Sequence, residues 1–126
     1  EGYLRLGAER LAAHHAARRA ALTPALEAAL DRALANFVRY NALYDTFRFP
    51  TLLPWFLDLA VWIALMRYLI LACLALGDPL EQAIVDVTYT INRAFDHDRE
   101  LLEELARTLE ERNVTTVAHG VWLLHF

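Results

Sequence analysis

Apolar residues recur at helical spacing along most of this chain. Leu26, Leu30, Leu34, Phe37, Tyr40, Tyr44 and Phe47 follow one another at steps of three and four, so the pattern places them on one face of a helix. Thr23 and Pro24 mark its start, since Thr is a good N-cap and Pro suits the first helical position. An Ala-rich helix with a thin stripe through Leu4 and Leu11 precedes it over residues 3–21. Pro50 and Pro54 end the second helix near Phe47 and make a short rigid connection.

The third helix covers Trp55–Leu76, with Gly77 just past its end as a C′ residue. Asp78-Pro79-Leu80-Glu81 then reads as a capping box opening a fourth helix that runs to about Arg112. Leu80, Ile84, Val87, Ile91, Phe95, Leu102, Leu105 and Leu109 form its seam. Val85, Val87, Tyr89 and Ile91 also alternate with polar residues as a strand would. The capping box and the longer seam decide for helix. Asn113 ends it, and the apolar tail from Val114 docks as a short helix weakened by Gly120. Short connections between long helices predict an all-α fold: an antiparallel up-and-down bundle of about four long helices plus a short C-terminal helix, one domain over residues 1–126.

Asp58 and Arg67 interrupt the third helix, WFLDLAVWIALMRYLILACLAL. The stretch is long enough to cross a bilayer, but each charge near a membrane centre costs about 2.5–3.5 kcal/mol on insertion scales. The uncharged pieces Leu59–Met66 and Tyr68–Leu76 are both shorter than the roughly 20 residues a span needs. The expectation is therefore a core helix of a helical domain, with no membrane association. Nine residues separate Asp58 from Arg67, about 13 Å along the axis, so each needs a partner from elsewhere. Arg93, Asp96 and Asp45 are candidates by sign. A charge kept in so apolar a helix also makes Asp58 and Arg67 candidate functional groups.

Composition changes the picture in three places. The chain is 57% hydrophobic, which leaves apolar surface seeking a partner and predicts a protein partner or self-association. All 12 basic residues are Arg, which excludes lysine nucleophiles and Schiff bases. Residues 1–50 hold seven Arg against five acids and residues 51–126 five against eleven; neither half offers the basic stripe of a nucleic-acid binder. Cys73 is the single cysteine, so no disulfide or cysteine metal centre forms within the chain. The N-terminal residues EGYLRLGAER lack the features of a signal peptide, giving a cytoplasmic expectation. The absence of an initiator Met fits a piece of a longer protein.

Candidate chemistry is sparse. His14 and His15 project about 100° apart and cannot share a metal, and their pattern reads as a solvated or half-buried pair. His97 and Glu100 have helical metal-type spacing, but the Glu-x-x-His pairs of a di-iron bundle are absent, and no metal site is expected. The acidic segment from Asp96 to Arg112 reads as a salt-laced solvent face. Nine of fourteen aromatics lie between Phe37 and Tyr68; Tyr40, Tyr44, Trp55 and Trp62 are the candidates for lining a small-molecule pocket, although core packing accounts for the same density.

Asn36-Phe37-Val38-Arg39-Tyr40-Asn41 leading to Phe47-Arg48-Phe49-Pro50, then Arg67-Tyr68, then Arg93-Ala94-Phe95-Asp96-His97, resembles the helical C-terminal region of flagellin lysine-N-methylase-like proteins across residues 34–110. The resemblance implies a bacterial, S-adenosylmethionine-dependent protein methylation system, with Arg67, Arg93 and His97 holding the domain or its substrate contact. It also implies a cysteine-rich motif, from which this sequence departs completely, so the chain would not be catalytic alone. The alternatives are a helical interaction or dimerisation module, working through the third helix or the tail, and a small-molecule sensor.

Overall fold

A computed structural model describes residues 2–44, 51–97 and 99–125, without the side chains of residues 2–8, 11, 44, 95–97, 99, 101 and 102. Among the described residues the fold is all-α: α1 (Gly2–Ala20), α2 (Pro24–Tyr44), α3 (Leu52–Ala75), α4 (Leu80–His97), α5 (Arg99–Glu111) and α6 (Val117–His125). The fourth helix expected to reach Arg112 is thus two helices, α4 and α5. The strand-like alternation around Val85–Ile91 lies wholly within α4.

Local chemistry sets the helix ends. Thr23 caps α2: its Oγ1 accepts from the Leu26 amide at 3.3 Å, and its carbonyl takes the first helical bond from Glu27. At the end of α3, Gly77 adopts φ +96°. Its amide donates to Leu74 O while the Asp78 amide donates to Cys73 O, a Schellman closure. Asn113, at φ +57°, closes α5 in the same way, with Val114 N–H donating to Leu109 O at 2.8 Å. Asn is the side chain that tolerates this conformation best after Gly. The opening of α4 differs from expectation by one residue: the Pro79 carbonyl accepts the first helical bond, from Ala83, so Pro79 rather than Asp78 occupies the cap position.

α3 is the hub, in contact with α1, α2, α4 and α6. The core joins Leu30, Leu34 and Phe37 of α2, Leu59, Trp62, Ile63, Met66, Ile70 and Leu71 of α3, and Ala83, Val87 and Ile91 of α4. Leu30, Met66, Ile70 and Leu71 are fully buried, each burial stabilising by about 1.5–3 kcal/mol. The seam of α2 departs from the expected one at Tyr40; Phe47 and the Tyr44 side chain lie outside the described residues. Asn41 turns inward (5% exposed) and donates from Nδ2 to Phe37 O at 2.9 Å, whereas Tyr40 is 59% exposed. Four residues advance a helix by 400°, which keeps Asn41 in line with Phe37; three residues leave Tyr40 about 60° off the stripe. Hydrogen bonding its amide to the backbone is what lets Asn41 stay inside. By length and composition α3 is also sufficient for a bilayer crossing, as core helices commonly are.

Candidate functional site

The two charges of α3 meet different surroundings. Nine residues turn a helix through 900°, so Asp58 and Arg67 leave α3 on opposite sides. Arg67 points toward α2, where Nη2 lies 2.9 Å from Asp31 Oδ1. Its side chain is 14% exposed and that of Asp31 is 57% exposed. Nη1 also reaches the Leu124 carbonyl of α6 at 3.4 Å, and Arg19 of α1 donates to the neighbouring carbonyl of His125. Two guanidinium groups from separate helices thereby hold the carbonyl end of α6, where the helix dipole favours positive charge.

Burial pulls the Arg67 guanidinium below its ordinary pKa, against the opposing pull of Asp31; Arg19 lowers it further and Glu27 raises it. Arg67 Nε is buried without a hydrogen-bond partner. The space beside this cluster, between Arg19, Glu27, Asp31 and Arg67, is only about 10 Å³, room for one water at most. Such an arrangement fastens helices together and leaves no volume for a substrate. Spacing along the chain does not single out Asp31 as the partner of Arg67, although Glu27 and Asp31 are the only acids of α2 and flank its apolar seam at i, i+4. Of the candidate partners, Arg93 is exposed on α4, while the side chain of Asp96 and the whole of Asp45 lie outside the described residues, as does the side chain of the candidate site residue His97.

Asp58 lines a half-open cleft of about 310 Å³ between the start of α3 and the far end of α5. Leu53 and Leu57 of α3 form one wall, Leu109 and Glu110 of α5 the other, and Val114 closes the end. None of the nine described lining residues is basic. α5 lies chiefly against α4 rather than α3, which is why the cleft stays open.

The candidate aromatics whose side chains are described sit in different surroundings. Tyr40 is exposed, Trp55 is half-buried against the core, and Trp62 is buried with its ring centroid 6.2 Å from that of Phe37. The Tyr44 side chain lies outside the described residues. The two adjacent histidines separate as their 100° offset requires, but His15 goes deeper than expected. His14 is exposed, while His15 is 4% exposed with its ring 5.8 Å from Tyr68. Among the described residues no group of three or more His, Cys, Asp or Glu side chains could hold a metal ion.

α6 carries two features that a reading of periodicity misses. Gly120 is buried, and a Cβ there would lie 2.2 Å from Cε1 of Phe56, so the missing side chain is what lets α6 approach α3. At its start, Thr116 Oγ1 accepts from the His119 amide at 3.4 Å, and His119 Nδ1 accepts from the amides of Thr115 at 3.1 Å and Thr116 at 3.4 Å. This is a capping box with His in the usual place of Glu or Gln, and Thr-x-x-His was the available signal.

No protein-family model, curated protein or solved structure matches the chain.

Proposed function

We propose that this chain is a helical association module that pairs with a second copy of itself, in part through the outer face of α6. The observation that carries this reading is surface area. A compact monomer of 14.4 kDa should expose about 6,800 Å², whereas this chain exposes 8953 Å², an excess of about 2,100 Å². A standard protein interface covers about 800 Å² on each partner, so the excess is enough to bury in a dimer. Val117 and Val121, one helical turn apart, are 59% and 44% exposed, and the adjacent Trp122 is 63% exposed. Aromatic anchors of this kind concentrate binding energy.

Sedimentation velocity of the detergent-free protein tests the proposal. A dimer or larger species in the micromolar range is expected. Val121→Glu, at an outward position, should shift the chain to monomer while helicity is kept. A wild-type chain that stays monomeric throughout that range overturns the proposal.

Within this reading, α1 to α4 are arranged as an antiparallel up-and-down bundle, and the module acts in the cytoplasm without nucleic acid or membrane. The kinship with flagellin lysine-N-methylase-like proteins is a second, weaker proposal. It rests on Asn36–Asn41, Arg67-Tyr68 and Arg93–His97, and a role for S-adenosylmethionine follows from it alone. A cysteine cluster encoded in the same open reading frame would support it, and a frame without one would remove it.

A further inference from the structure

We propose that the cleft between α3 and α5 is a binding site for a small amphiphilic cation, an ammonium group carried on an apolar body. Its volume of about 310 Å³ falls at the lower end of the range of about 300–1,000 Å³ typical of ligand pockets. The walls supplied by Leu53, Leu57, Leu109 and Val114 suit an aliphatic or aromatic body. The polar groups among the lining residues include two carboxylates, Asp58 and Glu110, one from each wall. An anionic ligand would meet both carboxylates in an apolar setting, where like charge is repelled more strongly than in water. A neutral ligand could donate a hydrogen bond to a carboxylate but would bring no charge to balance the pair. An ammonium meets the charge of both and donates up to three hydrogen bonds.

Asp58 has protein interactions of its own, and the site does not require it to be idle. A carboxylate offers about four lone-pair positions and can keep a protein contact while accepting from a ligand. α5 is well placed to respond to occupancy, because it lies more against α4 than against α3 and Leu105 is its described hold on the core. The site is separate from the α6 face invoked for self-association, since none of Val117, Val121 and Trp122 lines the cleft. A failure of either proposal therefore leaves the other standing.

Titration calorimetry at neutral pH with hexylammonium, hexanol and hexanoate tests the inference. Hexylammonium should bind at least about tenfold more tightly than hexanol, the difference expected of charge-assisted contacts in a partly dry site. Hexanoate should show no binding. Glu110→Gln, at an exposed position, should weaken hexylammonium without disturbing the fold, and Asp58→Asn should weaken it further if that variant folds. Ala106→Phe narrows the cleft without altering charge and should abolish binding. Retained binding in Ala106→Phe would mean that the cation merely adsorbs to an acidic surface, which overturns the proposal. So would hexanol or hexanoate binding as well as hexylammonium, or no hexylammonium binding to the wild-type chain.

Discussion

α5, RELLEELARTLEE, is rich in strong helix formers, and α6 is not. Arg107 of α5 sits 3.3 Å from Glu104 and 3.6 Å from Glu111, and Asn113 closes the helix end. α6 has nine residues, VAHGVWLLH, with a glycine and two valines inside it. Isolated helices shorter than about 12–15 residues are marginal in water, so α6 owes its helicity to what it touches. Gly120 lets it press on Phe56, and Arg67 and Arg19 hold its last carbonyls. The helix with the weaker local signal is thus the one packed most closely on α3, while the stronger one reaches the core through Leu105 and borders a cleft. Tertiary packing, rather than propensity, decides which is anchored.

The sharpest way to break this comparison is Gly120→Ala. Propensity alone predicts a gain of about 0.5–1 kcal/mol, but the added Cβ would collide with the Phe56 ring, and overpacking costs about 1–3 kcal/mol. Urea unfolding should show a net loss of about 1–2 kcal/mol, the outcome if overpacking wins. Pairing the change with Phe56→Leu should recover part of that loss. A Gly120→Ala protein more stable than wild type would show that α6 is not seated on Phe56.

Substitution of Arg67 comes next in size. Arg67→Ala should cost about 2–3 kcal/mol through lost packing of the aliphatic stem and release of α6. Arg67→Met keeps the volume and removes the buried charge, so it should be tolerated at least about 1 kcal/mol better. The direction of the Arg67 pKa, set first by burial, motivates this order. Equal losses in the two variants would mean that the charge itself is required. Asp31→Asn should cost less, about 0.5–1 kcal/mol, because Asp31 is more than half exposed.

Two smaller effects sharpen the contrast at the helix ends and surfaces. Thr116→Ala removes the α6 cap and should cost about 1 kcal/mol. Arg107→Ala removes two exposed ion pairs on α5 and should change stability by no more than about 0.5 kcal/mol. A larger effect of Arg107 than of Thr116 would reverse the roles assigned to the two helices.

What could be read from the residues follows the range of the forces involved. Thr23, Gly77 and Asn113 act on their own backbone neighbourhood, and all three helix ends fall where those residues put them. The described parts of the apolar seams of α2 and α4 were legible for the same reason, apart from buried Ala83 and the choice between Tyr40 and Asn41, which depends on a 60° difference in phase. Partners across space were not legible. Asp31 meets Arg67 because of how α2 lies on α3, and nothing in the spacing within either helix encodes that angle. Gly120 looked like a defect in a short helix, because only the position of Phe56 turns it into a contact. The cleft beside Asp58 likewise depends on how α5 lies relative to α3, which spacing within either helix does not encode.

Native-state amide hydrogen exchange, resolved by residue, tests the central claim that packing on α3 outranks local propensity. The hydrogen-bonded amides of α6 from Gly120 to His125 should exchange at least about tenfold more slowly than those in the middle of α5, after correction for intrinsic rates. Equal or greater protection in α5 would contradict the account, because α6 would then be no better anchored than a helix held by its own sequence.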